Sequence, residues 1–369
     1  MNSNIIINGN FDLWQRGVTF SIPYNANYSN IGASGTTYTA QSEKIADRWY
    51  LIDTQKRTGG STGQIQAYRE QFSNASASIR GSANYYLTIS NQLTSITGGY
   101  LYIENKQENA KLLSGVPMTL SFSAKSASGV TGITLSCYYR QALNPNSSEV
   151  SSVISDDITI QPYWKSYFVT FQPSVSNFSG LSGDHYFSVG FRFASQSTVS
   201  IAGVKLQETN AYTSTILITD PEEEKAKQEK YYKTTYALNT QAASVTTVGG
   251  NDLTAIDFTV TPNYTYNYHF NTPMRKVPSI TLYSPDSGVA NDGYNKTAVK
   301  DMRLTSGTRG WNQITRFSPT GAATLTTSGT TYGVALNVAT GAVVFDDILV
   351  HMVADADLDY SPYDRGLET

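Results

Sequence analysis

Two pairs of adjacent carboxylates, Asp156-Asp157 and Asp346-Asp347, and three histidines, His185, His269 and His351, are the side chains best suited to moving protons or holding a metal. A glycosidase needs two carboxyls about 5 to 9.5 Å apart across a cleft. Neighbours on a strand point to opposite faces, so neither pair forms such a dyad alone, and both read as solvated turns or strand ends. A dyad assembled from distant carboxylates stays open. The histidines are widely separated in strand-like segments, with no HExxH pattern and no zinc spacing, and are expected to be structural. No GxSxG elbow and no phosphate-binding glycine loop is present. Cys137 falls on the apolar face of an alternating segment and reads as a buried thiol. Trp14, Trp49 and Trp164 offer flat faces on which a pyranose could stack. Trp14 and Trp49 sit among apolar neighbours and are expected in a core, with Arg16, Asp47 and Arg48 forming ion pairs around them. No catalytic residue and no metal ligand is assigned.

The elements that would position these residues are strands. Charged residues make up only 15% of the 369, against a typical value of about 25%. Aromatics reach 12% through 26 tyrosines and 14 phenylalanines, and such residues fit a pleated, half-buried surface. Met118, Leu120, Phe122 and Ala124 alternate with polar neighbours, which is period two with one apolar face. The pattern recurs in Tyr85, Leu87 and Ile89; in Ile133, Leu135, Cys137 and Tyr139; in Tyr167, Val169 and Phe171; and in Phe187, Val189, Phe191 and Phe193. Glycine, serine and asparagine clusters between these runs predict a β-sandwich, not βαβ units. The length predicts two domains of about 150 to 200 residues.

One helix is predicted from Pro221 to about Tyr236, with Asp220 as N-cap and Glu222, Glu223 and Glu224 in its first turn. It reads as the connector, 216–238, between a domain over 1–215 and another over 239–369. In the second domain, alternation returns in Leu253 to Val260, Tyr264 to Phe270 and Ser279 to Tyr283. Val343 to Val353 reads as a closing strand, and Pro273, Pro278 and Pro285 mark edges and turns. A formal charge of −3 supplies no basic field for nucleic acid, so no such partner is expected. The start of the chain lacks the basic and apolar regions of a signal peptide, and no run approaches the ~18 apolar residues of a span, so no membrane insertion is expected. One cysteine makes no intramolecular disulfide.

The opening Asn8-Gly9-Asn10-Phe11-Asp12-Leu13-Trp14-Gln15-Arg16-Gly17, followed by Ala46-Asp47-Arg48-Trp49, resembles the start of bacteriophage tail-fibre and virion-appendage proteins. The likeness continues through Thr119 to Ser126, Ile201 to Glu208, Tyr231-Tyr232 and Met274 to Ser284, covering nearly the whole chain. The resemblance implies an all-β protein: an N-terminal jelly-roll sandwich similar to carbohydrate-binding modules, a short connecting helix, and a second C-terminal β-sandwich. It implies a non-enzymatic subunit exposed on the virion, acting in host attachment, with other tail or fibre proteins and host surface polysaccharide as partners, most simply a homotrimer. A purely architectural head-fibre, decoration or adaptor role is the alternative, and a polysaccharide depolymerase the third reading. Lys225 and Lys227 depart from the apolar residues usual early in the connecting helix and do not make a coiled-coil seam. Where calcium-binding jelly rolls carry an acidic residue in the last strand, this chain has Ile201-Ala202-Gly203. No cofactor is expected, and a structural calcium stays open.

Strand parity, combined with the jelly roll that the resemblance implies, places a glycan patch. If Cys137 and Tyr139 face the core, Tyr138 and Arg140 face outward; the same parity turns Tyr186 and Arg192 outward on a neighbouring strand. Tyrosine supplies a stacking face and a hydroxyl, and arginine a fixed fork of donors, which suits an acidic or neutral sugar. As outward residues they are expected to contribute little to stability. A solvated sheet face or a contact with a neighbouring subunit is the bland alternative.

Overall fold

Period-two alternation folds into antiparallel sheets throughout. The computed structural model describes residues 4–23, 41–57, 62–73, 84–108, 113, 115–127, 129–142, 150–174, 185–193, 196–209, 220–252, 263–285, 287–288, 290, 294–295, 300–301, 310–311, 317–318, 324–330, 333–339 and 348–357. The chain divides into two compact units, one running to Pro221 except for Trp14–Gly17, the other made of Trp14–Gly17 and Glu222–Asp357.

The first unit contains strands β1 (Thr19–Pro23), β2 (Gln41–Lys44), β3 (Trp49–Asp53), β4 (Lys56–Arg57) and β5 (Gln64–Gln71). They are followed by β6 (Tyr85–Asn91), β7 (Ile96–Gly98), β8 (Leu101–Glu108), β9 (Met118–Ser126) and β10 (Thr134–Ala142). Then come β11 (Val150–Val153), β12 (Ile158–Thr159), β13 (Lys165–Phe171), β14 (Tyr186–Phe193) and β15 (Ser197–Glu208). One sheet runs β1-β5-β6-β15-β9-β13; a second runs β11-β10-β14-β8-β3-β2, with β12 also on β10. Their inner faces meet in rings. Phe122 of the first sheet packs edge-on against Phe191 of the second at 4.7 Å, and Phe171 stacks on Tyr139 at 5.6 Å. Leu120, Phe122, Ala124, Leu135, Cys137, Val189 and Phe191 are all buried, as alternation predicts.

The opening motif is a folded corner beside β3. Asn8, in the left-handed region at φ 58°, donates from its amide to the carbonyls of Leu13 and Asp47, and its side-chain oxygen accepts the Leu13 N–H. The Trp49 indole donates to the Asn8 carbonyl at 3.0 Å and packs on Phe11 at 4.9 Å. A Cβ on Gly9 would lie 2.0 Å from the Val204 carbonyl oxygen, so only glycine lets this segment approach β15. The expected core role of Trp14 and Trp49 holds, at 0% and 1% exposed. Arg16 bridges Asp355 at 3.0 Å and Asp357 at 3.1 Å, with its guanidinium 3.7 Å above Tyr232.

The second unit opens with α1 (Pro221–Glu229). The helix stops about two turns short of the predicted Tyr236, because Tyr232 is drawn into β16 (Tyr232–Thr234) by pairing with a later strand. Its first turns are solvated, with Lys227 2.9 Å from Glu223, while Gln228 and Glu229 are buried. Strands β17 (Asn251–Asp252), β18 (Asn263–His269), β19 (Ser279–Tyr283), β20 (Tyr294–Asn295) and β21 (Lys300–Asp301) follow. The rest are β22 (Gly310–Trp311), β23 (Phe317–Ser318), β24 (Thr324–Thr330), β25 (Gly333–Ala339) and β26 (Ile348–Asp355). β16, β17, β19 and β20 all pair with β26, and β18-β25-β24 form a separate three-stranded sheet. The described part of the closing strand is Ile348–Asp355; residues 343–347, with Asp346 and Asp347, and the run from Leu253 to Val260 lie outside the described residues. Among the described residues no helix is long and apolar enough to cross a membrane.

His351 of β26 is fully buried and its ring stacks on Tyr236 at 3.8 Å. The Met352 N–H donates to Thr235 Oγ1, which lies 3.2 Å from Nδ1, while Nε2 lies 2.7 Å from the Thr246 carbonyl. This arrangement suits the neutral ring with its proton on Nε2. Burial lowers the His351 pKa below its usual 6.5, the Thr246 carbonyl opposing the shift. The unfolded chain therefore binds the proton first as pH falls, and stability contributed by neutral His351 is present above about pH 6.5 and lost on acidification through that value. Hydrogen exchange of β26 amides between pH 7.5 and 5 is expected to show weakening protection, with a shallower pH dependence in His351→Gln. An identical slope in the variant excludes His351 as the source.

Candidate functional site

The outer face of the second sheet holds a buried polar cluster centred on Glu104 of β8. Register places Glu104 beside Gly190 of β14, and Gly190 beside Tyr138 of β10. The Glu104 carboxylate accepts the Tyr138 hydroxyl at 2.9 Å, Arg140 Nε at 2.9 Å and Ser188 Oγ at 3.1 Å, and Arg140 Nη2 meets its other oxygen. Lys106 Nζ lies 3.7 Å from the same carboxylate, 4.4 Å from the Tyr186 ring centre and 4.8 Å from that of Tyr50. A Cβ on Gly190 would fall 1.9 Å from the Ile103 carbonyl oxygen, so glycine here lets β14 and β8 close beneath the cluster. Burial, with the neighbouring Glu104 carboxylate, drives the Tyr138 phenol well above its usual pKa.

Parity placed Tyr138, Arg140, Tyr186 and Arg192 on the face opposite the core, and the structure brings the first three together around Glu104 and Lys106. The face is not solvated there. Tyr138, Arg140 and Tyr186 are 2%, 0% and 3% exposed; Tyr138 packs with Tyr50, Ile52 and Tyr102 of the same sheet. Arg192 stands toward the more open end. Its guanidinium lies 4.4 Å above the half-buried Tyr100 ring. Tyr100, Tyr102 and Tyr138 follow one another edge to face, at 5.9 and 5.1 Å. Burial pushes the Tyr102 phenol up to about 12, against the opposing pull of Arg192 and Arg140.

The other candidates take ordinary places. Asp156 and Asp157 lie in an exposed turn, where Asp157 accepts the Ser136 hydroxyl. His269 is exposed at the end of β18. Cys137 is buried, which pushes its thiol up to about 12, far from a thiolate nucleophile. Glu104, Lys106, Ser188 and Tyr100 were not singled out from the sequence. The alternation of Tyr102, Glu104 and Lys106 with Leu101, Ile103 and Asn105 was the available signal.

No protein-family model and no curated protein sequence matches the chain. Solved structures similar to it include the enzymatically active domain of bacteriophage CBA120 tailspike protein 4, at 13% identity and TM-score 0.30 over 44% of this chain and 20% of that one. A putative sugar-binding protein from Bacteroides thetaiotaomicron is 14% identical at TM-score 0.31, over 56% of this chain and 100% of that one. A family 22 xylan-binding domain from Paenibacillus barcinonensis is 13% identical at TM-score 0.31, over 52% of this chain and 99% of that one. The chain thus spans 20% of the tailspike chain's length. At such identities and scores, what the sheet binds is decided by its own side chains.

Proposed function

We propose that this protein is a non-enzymatic bacteriophage virion component, a tail-fibre or tail-appendage subunit that acts in host attachment by binding surface glycan. The observation that carries the glycan reading is the Arg192 guanidinium, partly exposed and 4.4 Å above the Tyr100 ring. Donor fork and aromatic ring are held in one place by a rigid, buried support, which is what sugar hydroxyls and ring C–H groups require. Assembly as a homotrimer would turn weak single contacts into useful avidity. Burial of Tyr138, Arg140 and Tyr186 favours one second reading, a purely architectural subunit of the particle.

Because Tyr138 and Tyr186 are buried, the informative substitutions are Arg192→Ala with Tyr100→Ala. In the intact chain the double variant is expected to bind host cells at least ~10-fold more weakly, a loss of about 1.4 kcal/mol or more, with the melting temperature within a few degrees of the parent. Undiminished host binding by a folded double variant removes this face as the receptor site. Absence of host binding by the parent, with labelling of intact particles, favours the architectural reading; release of reducing sugar from host polysaccharide favours a depolymerase.

A further inference from the structure

The outer face of the first sheet carries a different cluster. Its floor is made of small residues: Thr88 Oγ1 and Ser200 Oγ are 2.9 Å apart, Ser123 and Ser166 hydroxyls 3.1 Å, and Ala202 is fully buried. Beside this floor stand three aromatic rings. Trp164 lies 5.1 Å from Tyr86, edge to face, and 5.2 Å from Phe72. Lys125 Nζ sits 5.1 Å from the Trp164 ring centre and 5.2 Å from that of Tyr86. Trp164 is partly exposed, and Phe168 on the same edge strand is 54% exposed; Lys165 pairs with core-facing Ala124 and turns to the other face, over Tyr167 at 5.6 Å. Trp14 and Trp49, by contrast, are sealed in cores.

Covering the small residues accounts for Tyr86 and Phe72. It does not require an ammonium group beside the outermost ring. We propose that Trp164 and Lys125 form a second saccharide site, one for an acidic pyranose whose C–H face stacks on the indole and whose carboxylate meets the Lys125 amine. An aromatic face takes the apolar side of the sugar, and a cation already held near that face by ring attraction needs little reordering to meet an anion. The site lies on the opposite sheet from Arg192 and stands independently of it.

The test is titration of the intact chain with oligogalacturonate, and separately with the carboxyl-reduced neutral oligomer, followed by tryptophan emission and by retardation in polysaccharide-containing gels. The acidic oligomer is expected to shift the emission and to half-saturate at a concentration at least ~10-fold below the neutral one. Trp164→Ala is expected to remove both the emission change and the retardation. Lys125→Met is expected to raise half-saturation ~10-fold, and added salt to weaken binding in the parent. No response in the parent to oligogalacturonate or to polysialate, equal response to acidic and neutral oligomers, or unchanged binding in Lys125→Met overturns the proposal. Should Trp164→Ala lose its fold, Lys125→Met decides the outcome alone, with Lys165→Met, on the other face, expected to bind as the parent.

Discussion

Glu104→Ala is expected to cost the first unit about 3 to 5 kcal/mol of stability, because removing one partner of a buried pair leaves uncompensated charge in a poorly polarisable place. Glu104, Arg140 and Lys106 are all 0% exposed. The alanine variant takes a carboxylate partner from both the Arg140 guanidinium and the Lys106 ammonium, and removes the acceptor of the Tyr138 and Ser188 hydroxyls. Removing both charges of the bidentate pair, as Glu104→Met with Arg140→Met, is expected to cost less than Glu104→Ala, since apolar replacement of a whole pair is often close to neutral. Urea unfolding by circular dichroism, with hydrogen exchange of β8 and β10 amides to assign the loss, reads this directly. A loss below ~1 kcal/mol in Glu104→Ala would show that water reaches the pair.

Trp49→Ala is the second large effect, at about 3 to 5 kcal/mol, the usual range for deleting a buried aromatic. Trp49 is 1% exposed, packs on Phe11, and donates its indole N–H to the Asn8 carbonyl. Asn8 in turn holds the backbone of Leu13 and Asp47, so the cavity opens where the motif's own corner is tied. Trp49→Phe keeps most of the volume and loses only the donor; the Asn8 carbonyl still accepts the Phe11 N–H at 3.1 Å, so about 0.5 to 1.5 kcal/mol is expected for the one bond lost. Equal destabilisation by the two replacements would mean that volume contributes nothing, and would refute this account of the motif.

Much of the sandwich was legible, for a physical reason. β9, β10 and β14 alternate strictly because one face of each meets the core, and parity then fixed which residues shared the other face. Parity says nothing of exposure. Tyr138 is buried with Tyr50, Ile52 and Tyr102, Arg140 with Glu104, and Tyr186 against Lys106, and only the sheet order reveals those neighbours. β8 escaped notice because Asn105 interrupts its apolar series; that side chain faces inward yet donates to the Ile7 carbonyl at 3.1 Å. The helix end failed similarly. Nothing local to Tyr231 to Tyr236 announces a strand; pairing of Tyr232 with Asp355 supplies it. Arg16 could not be matched to Asp355 and Asp357 by proximity in sequence.

That last pairing bears on how the second unit comes to fold. Arg16 and Asp355 are 339 positions apart, and β26, the strand that β16, β17, β19 and β20 share, follows all four in the chain. Contacts of such separation are slow to form, because a long disordered loop must close before any reward arrives. During synthesis β16, β17, β19 and β20 emerge with unpaired edges and no common neighbour, which makes this interval the one most open to mispairing between nascent chains. Folding of the first unit, whose strands all precede Pro221, shortens the disordered loop between Gly17 and Glu222. A first unit slowed by Glu104→Ala or Trp49→Ala would therefore delay the second as well, and lower the yield of soluble protein by more than its own lost stability accounts for.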